Sequence, residues 1–124
     1  MLRRNRARLD HEWSSGRWRY ASPVVAAQDR VTVPLIREYS HGRFLDAGCG
    51  LMPYRGMLEE RVAAYDSLDL RPRRHDVTYV GDIQDMSMIG DCLYDSAMCL
   101  EVLEHVTSPV RAAGELLRVL KPGG

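Results

Sequence analysis

Three acids stand at or just beyond the ends of short apolar runs: Asp46 in RFLDAGCG, Asp69 in YDSLDL and Asp82 in VGDI. Gly48 and Gly50 follow the first of them, one residue apart. Glycines there let the chain turn sharply and approach a ligand without an intervening Cβ. A helix starting beyond them would offer unpaired backbone N–H groups. Such turns often hold phosphate, but here a carboxylate stands beside the turn and would repel it. Asp46 instead suits an ammonium group, so acid plus N–H donors fit an amino acid zwitterion. Asp69, 19 residues after Gly50, is placed to accept from two ribose hydroxyls. Asp82 could accept from the exocyclic amine of a base, with Asp85 as a neighbour able to take that part. Amino acid, ribose and adenine together describe S-adenosylmethionine.

The rival reading of the same glycines is a dinucleotide site. Its fingerprint G-x-G-x-x-G requires a third glycine where this chain has Pro53. Proline gives no N–H and blocks close helix–strand packing. With Asp46 beside it, that holds down a nicotinamide-dependent oxidoreductase. The spacing and lysine of a P-loop are absent too.

Strands and helices must position these acids. SPVVAAQDRVTVPLIREYSHG predicts a helix, with Ser22 as cap, Pro23 in the first turn, a kink or break at Pro34 and a stop at His41-Gly42. RFLDAG is a buried strand. PYRGMLEERVAA is helical, AAYDSLDL a second strand and DVTYVGDI a third. QDMSMIGDCL is a loop with at most a helical turn, and YDSAMCL is the fourth strand. SPVRAAGELLRVL is a helix capped by Ser108, with Val110, Ala113, Leu117 and Leu120 as its apolar stripe. Apolar strands alternating with helices predict a parallel α/β sheet with helices on both faces and ligands beyond the strands' carboxyl ends.

On FLDAGCG, YDSLDL, GDI, YDSAMCLEVLEHV and ELLRVLKPGG, in that order and over residues 43 to 124, the chain resembles the class I S-adenosylmethionine-dependent methyltransferases. GCGLMPYRGML with LEVLEHV is most similar to the branch acting on small molecules and glycans. The resemblance implies a Rossmann-like fold, of which strands one to four of seven are present. It implies that Asp46, Ala47, Gly48, Cys49 and Gly50 hold the methionine end of the cofactor. Asp69 and Leu70 would take the ribose, Asp82 and Ile83 the adenine, and Cys99 and Leu100 would border the sulfonium. The product would be S-adenosylhomocysteine, and the acceptor a small molecule left unnamed, as is any catalytic base. Two departures stand out: Met52 replaces a third alternate glycine, and nothing follows KPGG where a fifth strand should begin. The fourth strand would then be an exposed apolar edge prone to self-association. Residues 21–124 are accordingly expected to be the cofactor-binding part of a truncated methyltransferase domain. The alternative is a non-catalytic cofactor-binding fragment or partner subunit.

The rest of the chain narrows this reading. Six arginines against two acids make residues 1–20 a basic arm. Net charge is zero overall, which gives no argument for nucleic acid or a membrane surface. No apolar run is long enough to span a bilayer. Cys49, Cys92 and Cys99 form neither a disulfide framework nor a zinc motif, so the expected setting is a reducing cytoplasm. Cys49 and Cys99 read as small buried residues. In EVLEH, Glu101, Glu104 and His105 would share the face of a helix start and could hold a divalent cation, as a similar motif does in some relatives; the plainer reading is that the acids favour a helix N-terminus. RPRRHD is a solvated loop or a phosphate patch. His11, His41 and His75 have no partner legible in the sequence.

Overall fold

The computed structural model describes residues 22–124, so the basic arm lies outside the described residues. These residues fall into two units, one extending to Glu38 and the other running from Tyr39 to Gly124. Nearly all of helix α1, Pro23–Tyr39, belongs to the first. Ser22 caps it, its Oγ accepting from Val25 N–H at 3.5 Å. The expected break at Pro34 does not occur, and α1 runs unbroken through it. Proline removes one intrahelical hydrogen bond, and one bond lost is tolerated in a helix of 17 residues.

The second unit is built on a parallel sheet of β1 (Arg43–Ala47), β2 (Ala64–Asp69), β3 (Tyr79–Val80) and β4 (Ser96–Met98). Its order is β3-β2-β1-β4, with every pairing parallel. Helix α2 (Arg55–Glu59) follows β1, and α3 (Pro109–Val119) follows β4. Side chains alternate across a strand, and that separates the faces. Leu45, Ala47 and Leu68 join Ala112 and Val119 of α3 in the main core. Phe44, Asp46, Tyr65 and Ser67 point the other way, and there Arg55 of α2 lies over the Tyr65 ring. Helices therefore cover both faces, as the sequence predicts.

Several elements are shorter than expected. Helix α2 has five residues because Ala63 N–H already donates to Gly42 O at 2.8 Å, drawing the chain into the sheet. Strand β3 has two residues because Thr78 pairs with Ser67 through side chains. Ser67 N–H donates to Thr78 Oγ1, and Thr78 N–H to Ser67 Oγ, both at 3.1 Å. Hydroxyls thus take over from the ladder. The irregular segment 81–95 supplies Ile83, Met86, Ile89 and Tyr94 to the core. Arg118 pins it, donating to Ile89 O and Met86 O at 2.9 Å and to Asp91 and Glu115.

The stripe of α3 has the expected period and the wrong phase. Val110 and Leu117 are 83% and 74% exposed, and Ala112 and Val119 are buried instead. Two parallel apolar rows run along this helix, and its ends choose between them. Ser108 Oγ accepts from Arg111 N–H at 3.3 Å at one end, and Leu120 bridges Tyr94 in parallel at the other. That bridge, with Lys121 N–H donating to Tyr94 O at 2.8 Å, covers the lead-in to β4. β4 is the edge strand, as expected, and its entry is not bare.

Candidate functional site

The sheet brings the three acids to one end. Asp46 is the penultimate residue of β1, Asp69 closes β2, and Asp82 follows β3 by two residues. Since β3, β2 and β1 are neighbours in that order, the acids form a row across the carboxyl edge.

Asp46 is 3% exposed, and its Oδ2 accepts from Tyr65 Oη–H at 2.6 Å. The register explains the contact. Tyr65 pairs with Phe44 and Ser67 with Asp46, so Tyr65 and Asp46 are diagonal neighbours on one face. Burial pushes the Asp46 carboxyl up to about 6; the Tyr65 hydrogen bond opposes this and the nearby Asp69 adds to it.

The glycine turn differs from expectation. Gly48 N–H and Cys49 N–H both donate to Leu68 O, at 2.8 and 3.0 Å, and Gly50 N–H donates to Asp69 Oδ2 at 2.8 Å. These amides are occupied within the protein, and α2 begins only at Arg55, too far on to lend its first N–H groups to the turn. The turn is thus a frame for Asp69 more than a cradle of donors. Gly48 has φ +77, and a Cβ there would overlap Val102 Cγ2 and lie 3.2 Å from Cγ1. Its bare Cα is what lets the segment after β4 close onto the turn. Met52 adopts φ 54 where the resemblance led one to look for another glycine, a conformation glycine takes without strain.

Asp69 accepts through both oxygens, from Gly50 N–H and from Arg71 N–H at 2.8 Å. An ionised carboxylate has about four lone-pair sites, so about two remain for a diol. Asp82 Oδ1 accepts from Gln84 N–H at 2.8 Å, and the Gln84 amide reaches both its oxygens at 3.2 Å. Gln84 Oε1 accepts from Thr107 Oγ1–H at 2.9 Å and Ser108 N–H at 2.7 Å. One side chain therefore ties the Asp82 turn to the start of α3. Asp85 holds Ser87 N–H at 3.2 Å. Ile83 is buried in the core.

Cys99 and Leu100 follow β4, and Ala47 and Cys49 are buried beside the turn. Burial, then the charges of Asp46 and Asp69, push the Cys49 thiol up to about 12. Burial, then Asp46 and Glu104, push Cys99 up to about 11. Both stay protonated at neutral pH, and both feel Asp46, so the ends of β1 and β4 share one electrostatic environment. Leu70 is exposed beyond Asp69.

The EVLEH segment is not a helix start. Glu101 has φ 53, and residues Leu103–His105 form a single 3-10 turn. Among the described residues, no group of three His, Cys, Asp or Glu is arranged to hold a metal ion. In the RPRRHD loop, Arg74 and Arg55 both pair with Asp76, at 2.8 and 2.6 Å. Arg73 Nη2 lies 3.4 Å from where a Gly50 Cβ would be, so this loop borders the turn. His41 Nδ1 lies 2.9 Å from Tyr39 O. Tyr65, Gln84 and Val102 were not legible as site residues. For Tyr65 the missing piece was the register, since a β2 residue paired with Phe44 shares the face of Asp46.

A row of acceptor-only carboxylates suits a ligand that presents an ammonium, a diol and an amine, and it repels phosphates. This set of acceptors thus fits S-adenosylmethionine. No helix among the described residues is long and apolar enough to cross a membrane. The family model described as "Methyltransferase domain" matches residues 45–124. The chain is 33% identical over 99 residues to a ubiquinone biosynthesis O-methyltransferase of Xanthomonas oryzae pv. oryzae (strain PXO99A), covering 66% of this chain and 40% of that protein. It thus spans about two fifths of the length of the curated relatives it matches. Among solved structures, the 4+2 cyclase SpnF superposes with a TM-score of 0.63 at 27% identity, covering 77% of this chain and 42% of that one. The trans-methyltransferase CalH in complex with SAH superposes with a TM-score of 0.59 at 20% identity, covering 73% and 33%, a likeness of fold alone. S-adenosylmethionine is the cofactor of this domain family. By the model match over residues 45–124 and by its four-stranded parallel sheet, the chain belongs to the methyltransferase-domain family of Rossmann-like proteins.

Proposed function

We propose that this chain is the cofactor-binding part of a methyltransferase that transfers a methyl group to a small-molecule acceptor, working in the cytoplasm. The observation that carries the reading is the row of Asp46, Asp69 and Asp82 at the ends of three adjacent parallel strands. Bound there, the cofactor supplies an electrophilic methyl group. Asp46 accepts from its ammonium, Asp69 and the chain at Leu70 take the ribose diol, and Asp82 with the Ile83 backbone takes the adenine amine. Ala47, Gly48, Cys49 and Gly50 shape the wall beside the methionine end, and Cys99 and Leu100 border the sulfonium. Because Cys49 and Cys99 are held as thiols, neither competes with the acceptor as a nucleophile. Rate in such a site comes chiefly from positioning two reactants. The small-molecule acceptor is supported by the O-methyltransferase name of the 33%-identical relatives. The cytoplasmic setting is supported by three cysteines that are all free.

Calorimetric titration with S-adenosylhomocysteine, with NADH as control, tests this. One-site binding is expected, weakened at least about tenfold by Asp69→Ala, the loss expected for hydrogen bonds to a charged group. An unchanged dissociation constant in that variant, or saturable NADH binding, would refute the assignment. A second reading is a cofactor-binding chain with no methyl transfer of its own, favoured by the name of SpnF, a cyclase on the same fold at 27% identity. Binding without turnover over a panel of hydroxylated aromatic acceptors would support it.

A further inference from the structure

We propose that Tyr65 is a positioning residue of this site, its hydroxyl holding the Asp46 carboxylate in the orientation that receives the ligand's ammonium group. The proposal rests on the cofactor reading above and adds to it a residue outside the row of strand-end acids.

The Tyr65 hydroxyl donates to Asp46 Oδ2 at 2.6 Å, the short distance of a hydrogen bond to an ionised acceptor. The ring that carries it is fixed from two sides. Phe44 stacks on it at 6.1 Å between centroids and 14° between planes. The Arg55 guanidinium lies 5.5 Å from its centroid. Arg55 is itself held by Glu59 Oε1 at 2.7 Å and Asp76 Oδ2 at 2.6 Å. A line of contacts thus runs from the loop after β2, through α2 and Tyr65, to the end of β1.

Asp46 needs such a partner. It is nearly buried, and the charged groups nearest to it are unhelpful. Asp69 at the end of β2 disfavours a charge on Asp46. Cys49 in the turn and Cys99 after β4 are neutral thiols. Arg55 faces the Tyr65 ring and does not pair with Asp46. Burial favours the neutral acid, which would donate a proton and be of no use to an ammonium. The Tyr65 hydroxyl acts the other way, favouring the anion. The phenol keeps its own proton and so remains a donor, since burial and the Asp46 charge push its ionisation far above the ordinary range.

The test compares wild type with Tyr65→Phe, which keeps the ring, the Phe44 stack and the Arg55 contact. Each is titrated calorimetrically with S-adenosylhomocysteine and with 5′-methylthioadenosine, which lacks the amino acid, from pH 5 to 8.5. The wild type should bind both ligands. Removing one hydrogen bond to a charged group should weaken S-adenosylhomocysteine about tenfold at neutral pH and leave methylthioadenosine within about twofold. In the variant, the loss of S-adenosylhomocysteine affinity on acidification should set in at higher pH, because the carboxyl is protonated sooner. Equal weakening of both ligands would mean that Tyr65 only supports the fold, and would overturn the proposal. So would an unchanged affinity and pH profile. A wild type that binds neither ligand would sink the cofactor reading itself, a result distinct from either.

Discussion

Replacing Gly48 by alanine tests how the turn after β1 and the segment after β4 depend on each other. Two costs add. The backbone there has φ +77, where a side chain meets the following carbonyl, a penalty of about 1–2 kcal/mol. The new methyl would also overlap Val102 Cγ2 and press on Cγ1 and Cβ, at 3.2 and 3.3 Å. Val102 is stiff at χ1 and packs on the main core, so it cannot swing aside. Overpacking of this kind costs about 1–3 kcal/mol. Gly48→Ala should therefore lose roughly 2–5 kcal/mol, a large share of the 5–15 kcal/mol by which most domains are stable. The assay is urea unfolding followed by far-ultraviolet circular dichroism, run as a cycle with Val102→Ala. Val102→Ala costs something alone, but in that background Gly48→Ala should cost only the backbone part, leaving a coupling of about 1–3 kcal/mol. A single-mutant loss below about 0.5 kcal/mol, or a cycle that adds without coupling, would refute the close approach described here.

Asp46→Asn should raise stability at neutral pH by about 2 kcal/mol while weakening S-adenosylhomocysteine, as expected where a buried charge is kept for function. Between 3.8, its ordinary value, and about 6, folded Asp46 keeps a proton that the unfolded chain has lost, so wild-type stability should fall as pH rises across that window. Thermal unfolding of both proteins between pH 4 and 7.5 should show this fall in wild type and its absence in the variant. Iodoacetamide at pH 7.5 should alkylate exposed Cys92 and spare Cys49 and Cys99, read by peptide mass spectrometry; rapid labelling of Cys49 would contradict its raised thiol. Gln84→Ala removes the side-chain amide that holds both Asp82 oxygens and accepts from Ser108 N–H, while the backbone N–H at 84 stays on Asp82, so it should cost about 1–3 kcal/mol and weaken adenosine-containing ligands more than Arg111→Ala does, measured by denaturation and titration.

The placement of the three acids was legible because strand ends are set by short apolar runs, and these runs pair in the order that parallel crossovers impose. The occupants of the space between them were not legible. Tyr65 reads as an ordinary β-former until the register with Phe44 is known, and Gln84 as an ordinary loop residue until Ser108 is folded against it. The glycine turn misled in a different way. Its flexibility was plain, but the destination of its amides depends on Leu68 and Asp69, which lie on another strand. The phase of α3 was hidden because two apolar rows compete and only the pairing of Leu120 with Tyr94 decides between them. Of the kink or split expected at Pro34, the split is absent, because one missing hydrogen bond is small beside the rest of a long helix.

The segment between β3 and β4 carries a further consequence. It has almost no regular structure, yet Ile83, Met86, Ile89 and Tyr94 make up four of the nine residues of the main buried cluster. Its backbone is anchored by Arg118, and Met86 N–H donates to Glu115 Oε2 at 2.6 Å. Connections of this length ordinarily accept inserted residues with little penalty. Here an insertion would shift buried side chains out of step with their neighbours and strand the arginine's acceptors. Irregularity of the backbone in this protein is therefore no guide to where the chain can be lengthened.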